Sequence, residues 1–402
     1  MDTVLIDWLN LAVRWFHVVA GIAWIGASFY FIWLDLNLRE PPTWKKEKGI
    51  KGDLWAIHGG GIYEIGKYRL RPEAMPEKLH WFKWEAYSTW LSGTLLLILL
   101  YYVQARTYLV RPDAWIETPG AGVVASLLFI ALGQLCYEAL LRTPLVKKGW
   151  GFAVALMLLI TLASWLAQQL FSGRAAYLHV GAMIATWMAG NVFWGIIPAQ
   201  KSFVAAVSEG REPDAAKAQF AKLRSTHNNY LTLPVIFCMI SNHYPFLYGH
   251  PQAWLVLSAV GILLAWGRHY FNLKHQGHHR PAVLLSSAAG LVVVAVLASW
   301  PSSDSSAGAA SELPAPAQVD AWATRHCANC HGVDPVQPGF RAPPAGLVIE
   351  SSMDLAAHRD LALPAIQSSY MPLGNMTGLT DKERVALVAW LKAQNSLEKE
   401  AQ

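Results

Sequence analysis

The sequence predicts an all-α chain: a polytopic membrane bundle of about eight transmembrane helices, with a small soluble helical module behind it. Three observations predict it. Hydrophobic residues make up 54% of the chain and charged residues 15%, with 19 tryptophans, the composition of apolar runs joined by polar loops. Eight such runs, each near the ~20 residues that cross a bilayer as a helix, fill positions 1–300. Beyond them stands Cys327-Ala328-Asn329-Cys330-His331, the C-x-x-C-H pattern in which two thiols and an adjacent imidazole hold a c-type haem. A zinc pair or a redox dithiol is the weaker reading, because a methionine-bearing loop that can supply a second iron ligand follows. The module therefore reads as a class I cytochrome c domain.

The runs fall at about 9–36, 81–103, 120–141, 149–171, 177–198, 227–248, 253–273 and 281–300. The sixth is the most interrupted, by Asn228, Asn229, Pro234, Asn242 and His243. The N-terminus has no basic region of a cleavable signal peptide and leads straight into a spanning helix. Residues 301–318, rich in Ser, Ala and Pro, read as a flexible linker with a reach of roughly 20–25 Å. The domain boundaries are thus 1–300, 301–318 and 319–402. Cys136 and Cys238 lie in apolar runs and are expected to be buried thiols.

Basic residues cluster after the odd-numbered runs: Arg39 to Lys78, then Arg142 to Lys148, Lys201 to Arg224, and Lys274 to Arg280. The positive-inside rule puts those loops in the cytoplasm and both termini outside. Covalent haem attachment on the outer, periplasmic side of a bacterial inner membrane agrees. The net charge of +5 belongs to these loops, and no nucleic-acid partner is expected; the partner is the lipid bilayer.

Within the module, Asp320 to His326 forms a helix into the haem motif, and Arg341 to Gly346 a stiff loop behind His331. Met353, Met371 and Met376 are the candidate distal ligands. Met371 is favoured because Tyr370-Met371-Pro372-Leu373-Gly374-Asn375 precedes a turn and the last helix, with Met376 the alternative. Thr380 with Glu383 three residues on is a capping box for that helix. His331 and Met371 are thus the iron ligands, and such a closed site carries electrons.

Ionisable residues inside spans are functional by default. His17, His179 and His243 lie toward the periplasmic side; His17 and His179 sit in similar settings, Phe16-His17-Val18 and Leu178-His179-Val180, and are the candidate axial pair of a haem b. Toward the cytoplasm lie Asp35, Glu85, Glu138, Asn191, His227, Asn228, Asn229, Arg268 and His269. Arg268 suits an anion, the asparagines suit a flat heterocycle, and Glu85 or His227 suits a proton; Glu85, His227 and Arg268 are the candidate catalytic residues. His58-Gly59-Gly60-Gly61 is a candidate backbone nest for an anion.

Several stretches together carry a resemblance: His17 to Gly26, HGGGIY at 58–63, HWFKWEAYSTWLSG at 80–93, TWMAGNVFWGIIPAQ at 186–200 and HNNYLTLPVIFCMISNHYP at 227–245. With eight spans and the C-terminal module, the whole chain resembles the bacterial membrane-bound urate hydroxylases (urate oxidases) of purine catabolism. The resemblance implies oxidation of urate to 5-hydroxyisourate, with electrons leaving through one covalent haem c to a soluble cytochrome c or a terminal oxidase. It assigns no residue in the membrane part. The main rival class is a quinol-linked electron-transfer subunit; a haem–copper oxidase lacks its ligand set here, and a transporter or sensor with a redox tail would bind urate without oxidising it.

Overall fold

A computed structural model describes residues 3–70, 72, 75–111, 114–299, 313–337, 340, 342–367 and 370–400. Most of the expected linker, with Arg341, lies outside the described residues. The membrane part comprises α1 (Thr3–Asn37), α2 (Thr43–Glu47), a hairpin of β1 (Ile50–His58) and β2 (Gly61–Tyr68), α3 (Trp84–Leu97), α4 (Ala105–Tyr108), α5 (Pro119–Leu141) and α6 (Gly149–Leu170). It continues with α7 (Gly173–Gly190), α8 (Ile197–Ser208), α9 (Ala215–Ser241), α10 (Pro245–Tyr248), α11 (Ala253–His275) and α12 (Pro281–Ser299).

Among the described residues, six helical stretches have the length and apolarity to cross a membrane: Trp8–Asn37, α5, α6, Gly173–Ser208, α11 and α12. Two of the eight expected spans are not among them. The second is α3 running into a π-helical turn, Ile98–Tyr102. The sixth is part of α9, which begins twelve residues before the expected start and carries Lys217, Lys222, Arg224 and His227. Both still pack as helices in the bundle, α3 along α1 and α9 against α7 and α11. Pro198 does not end the fifth run. A π-helical turn at Asn191–Ile196 precedes it, and the helix runs on through Pro198 as α8, the widened turn coming just before the residue that has no N–H to give.

The bundle buries Trp187, Tyr101, Tyr137, Tyr177, Phe171 and Met183 at its centre. Its outer face is apolar: Leu127, Leu128, Leu132 and Leu135 on α5, Leu158 and Leu162 on α6, and Val292, Val293 and Leu297 on α12 are exposed. Helices closed on themselves with an apolar exterior are what a bilayer demands. Cys238 is buried as expected, but Cys136 sits on that outer face instead, because α5 turns its Gly133–Gln134 side inward against α7.

The stretch expected to be a loop with an anion nest is the β-hairpin. His58 pairs with Gly61, and Gly59 and Gly60 make the turn at φ +56° and +80°. Two successive positive φ values are the two-residue turn that matches strand twist, so the glycines serve the turn. Buried Lys45 pairs with Asp53 and Glu64 to fix the hairpin to α2. Asp35, near the end of α1, pairs with Lys67 of β2 and, at 3.4 Å, with Lys222 of α9.

The C-terminal module holds α13 (Pro316–His326), α14 (Ala328–His331), α15 (Ser352–Ala357), α16 (Arg359–Gln367) and α17 (Asp381–Glu400). Val319, Ala323, Leu355, Leu387, Trp390 and Leu391 form its own core. The module touches the bundle through Tyr370, which packs on the bundle core with its ring 6.5 Å from that of Tyr248.

Candidate functional site

The end of the bundle next to the β-hairpin holds a cavity of about 670 Å³. Its aromatic walls are Trp24, Phe31, Trp81 and Phe82; Lys51, Lys67 and Lys222 bring positive charge, and Gln200, Gln219 and Asn228 bring amides. Four of the stretches that carry the resemblance meet here, contributing Trp24, His80 to Phe82, Gln200 and Asn228. One turn of helix spacing explains part of this. On α1, Trp24, Ala27, Ser28, Phe31, Ile32 and Asp35 follow a three-and-four spacing that puts them on one face, which the cavity uses.

Behind Asn228 lies a buried polar network. Asn228 Oδ1 accepts from Asn191 Nδ2 at 2.8 Å, and Asn228 Nδ2 donates to the Met188 carbonyl at 3.0 Å. Asn191 Oδ1 accepts from Arg224 Nη1 at 3.1 Å. Arg224 in turn grips Glu138 in two bonds of 2.7 Å, the fork geometry that only a guanidinium offers a carboxylate. The Tyr137 hydroxyl bridges Asn191 Nδ2 at 2.9 Å and His227 Nδ1 at 3.0 Å, while its ring stacks on Trp187. The π-helical turn places Asn191 at this junction, a common use of such turns. Neither Tyr137 nor Arg224 stands out as a site residue in the sequence; Arg224 reads there as one more loop cation. Its signal is helical: it lies three and four residues before His227 and Asn228.

The three candidate catalytic residues occupy different places. Glu85 opens α3 next to the cavity, with Oε1 3.9 Å from Nε2 of the cavity-lining His80 and Oε2 buried without a protein partner. His227 turns away from the cavity, stacked on Phe152 with ring centroids 4.6 Å apart. Arg268 donates through Nε to Asn229 Oδ1 at 3.1 Å and lies over the Phe29 ring at 4.0 Å. Asn272 donates to the same Asn229 oxygen, so this is a second polar knot.

The candidate haem b pair also separates into two settings. His17 Nδ1 meets Ser92 Oγ at 3.0 Å and the Thr89 carbonyl at 3.1 Å, both on α3. His179 is fully buried, stacked on Phe171, with Nε2 2.6 Å from Ser126 Oγ and Nδ1 2.7 Å from the Ala175 carbonyl. Both of its ring nitrogens are engaged by protein atoms, so ligating iron would require displacing Ser126.

In the module, Cys327 caps α13 and Cys330 lies one turn on, both as free thiols. Burial pushes the Cys327 thiol up to about 12 and raises that of Cys330. His331 Nδ1 lies 3.0 Å from the Leu347 carbonyl; with the proton there, Nε2 is left as a lone-pair donor. Arg384 Nη1 donates to the carbonyls of Met371 and Ile366, at 2.7 Å each, and fixes the loop that carries Met371. The sulfur of Met376 is 3.9 Å from Gln337 Nε2. Two thiols, an oriented imidazole and a held methionine loop fit a covalent haem by the chemistry of the donor set. Among the described residues, no group of three or more His, Cys, Asp or Glu side chains could hold a metal ion by itself.

No curated protein matches the chain, and no solved structure does. The Urate oxidase N-terminal family, however, matches residues 3–299, the whole helical bundle with its larger cavity. The chain belongs to the Urate oxidase N-terminal family, and with it to the urate-oxidase-related oxidoreductases.

Proposed function

We propose that the protein oxidises urate to 5-hydroxyisourate in the cytoplasmic cavity, in a bacterial inner membrane, and passes the electrons outward to a periplasmic cytochrome c module. The single observation that carries this reading is the cavity itself, built by stretches of the family-matched bundle and suited to a flat anion. Urate is planar and anionic at neutral pH. Trp24, Phe31, Trp81 and Phe82 offer it ring faces, Lys51 offsets its charge while Lys67 and Lys222 share Asp35, and Gln200 and Asn228 meet its alternating N–H and C=O groups.

The reaction balances as urate plus water giving 5-hydroxyisourate, two protons and two electrons. Glu85, with an unpartnered buried oxygen beside His80, is the group we assign to take a proton. The Arg224–Glu138 pair holds Asn191 and thereby fixes the Asn228 amide before substrate arrives, so that its orientation is not lost to thermal rotation. Cys327 and Cys330 would hold the haem, with His331 and Met371 as ligands. When bound, that group supplies one-electron acceptance at a closed iron. A soluble cytochrome c or a terminal oxidase then takes the electrons.

Anaerobic mixing of the purified, haem-loaded protein with urate should give the reduced c-type spectrum and 5-hydroxyisourate in a two-to-one electron stoichiometry. An unchanged spectrum sinks the proposal, and reduction by quinol alone assigns the chain to quinol-linked electron transfer. A pyridine haemochrome spectrum settles whether a haem b accompanies the haem c.

A further inference from the structure

The opposite end of the bundle has a second cavity, about 480 Å³ in volume, in the seam between bundle and C-terminal module. The urate reading makes no use of it. The bundle contributes Tyr108, Arg111, Arg174, Tyr248 and Gln252, and the module contributes Tyr370, Asp381 and Arg384. Four independent features of this seam point to one kind of ligand.

Two long helices begin at the cavity. Ser172, Gly173 and Arg174 of the α7 start line it, as do Gln252 and Trp254 of the α11 start. Ser172 Oγ accepts from Ala175 N at the α7 start and Gln168 Oε1 accepts from Trp254 N at the α11 start, so what the two starts bring to the cavity is the positive end of the helix dipole. The approach is tight: a Cβ on Gly173 would stand 2.5 Å from the Tyr248 carbonyl, so only glycine lets α7 begin here.

Three arginines line the cavity, and among the described residues Asp381 is the one acidic residue that does. Arg111 donates to the Gln168 carbonyl at 3.0 Å, and Arg384 is tied to the Met371 loop. Arg174 lies over the Tyr108 ring at 5.4 Å, and its buried Nε has no hydrogen-bond partner. The Tyr248 side chain lines the same cavity; the residue is 7% exposed, and its hydroxyl is also buried without a partner. Orphaned buried donors are rare because each forfeits the solvation of its polar group. Two of them belong to residues that line one cavity, and both can donate to an acceptor held there.

We propose that this seam is a binding site for a small anion with oxygen acceptors, which clamps the C-terminal module to the bundle. The anion accepts from Arg174 and the Tyr248 hydroxyl and offsets the like charges that Arg174 and Arg384 bring from the two sides. A free oxyanion such as phosphate and an anionic purine such as urate share this chemistry; the two arms of the test separate them.

The test uses the full-length protein in detergent, reduced with dithionite so that urate is not consumed. Equilibrium dialysis against inorganic phosphate and, separately, against urate measures the number and affinity of sites. Amide exchange over 370–384 reports the clamp. We expect saturable binding of one of the two anions with slower exchange in that segment. Arg174→Gln and Tyr248→Phe should each weaken that site roughly tenfold or more. Tyr248→Phe removes a single oxygen and keeps the packing, so a folding defect in Arg174→Gln does not blur the result. If neither anion binds, or binding is equally tight in both variants, the proposal is overturned. Since no turnover is measured, the outcome is independent of whether the protein oxidises urate.

Discussion

Arg224 illustrates how much a single residue depends on its surroundings. Its side chain is 6% exposed and its partner Glu138 is 19% exposed, in a helix bundle where an unpaired charge is costly. Glu138→Gln would leave the guanidinium without its counter-charge, and removing one partner of such a pair typically costs about 3–5 kcal/mol. Thermal unfolding in detergent should show a large fall in midpoint; an unchanged transition would mean the pair is solvated. Gly195 guards the same residue from the other side. A Cβ there would stand 2.2 Å from Arg224 Cδ, so Gly195→Ala should displace the guanidinium at an overpacking cost of about 1–3 kcal/mol. On our reading it also raises KM for urate through Asn191 and Asn228. Asn228 was visible in the sequence as a polar residue in an apolar run. The Arg224–Glu138 pairing was not, because the partners are 86 positions apart and only the packing of α5 against the α7–α9 layer joins them.

Elements differ in how openly they announce themselves. The capping box of α17 is readable from two letters, and the structure has both halves: Thr380 N–H reaches Glu383 Oε2 at 2.9 Å, and Glu383 N–H reaches Thr380 Oγ1 at 3.3 Å. Thr380→Ala should cost about 1 kcal/mol, read as faster amide exchange in the first turn of α17. Partial burial works to raise the Glu383 carboxyl, but the Thr380 N–H and hydroxyl, with His326 and Arg325 nearby, hold it below its ordinary value of 4.5. Asp354, bonded by the Glu350 and Ser351 backbone, and Asp320, bonded by Ser352, are lowered too. A carboxyl whose folded-state pKa is depressed binds protons more weakly in the folded state than in the unfolded one. Its stabilisation is complete above the unfolded value and is lost as pH falls through the folded value. The module should therefore soften below about pH 4.5, measured by exchange or near-ultraviolet circular dichroism at stepped pH. Strand elements were harder to read. Gly59-Gly60 is a hairpin turn signal, but Asp53, Gly66 and Lys67 break the apolar alternation that would have flagged the strands. Helix α8 was hidden behind Pro198, since a turn of π-helix before a proline leaves no compositional trace.

At the scale of the whole molecule, hydropathy made the bundle legible because it is a sum over many residues, and the basic loops predict an orientation on the same footing. The cavities were not legible, since each is assembled from segments remote in sequence. Orientation has a direct check. Protease added outside spheroplasts should cut between bundle and module, in 301–318, and leave the Gly59–Gly60 turn intact; the reverse pattern would invert the topology.

The ion pairs of Asp35 set a schedule for biogenesis. Lys67 leaves the ribosome soon after Asp35, whereas Lys222 follows about 190 residues later, roughly 10–40 s at ordinary synthesis rates. During that interval the first helix stands in the membrane and its hairpin outside the bilayer, with the chamber between them open on one side. Whatever guards nascent membrane chains must cover this face until α9 arrives, and the wait ends when Lys222 docks.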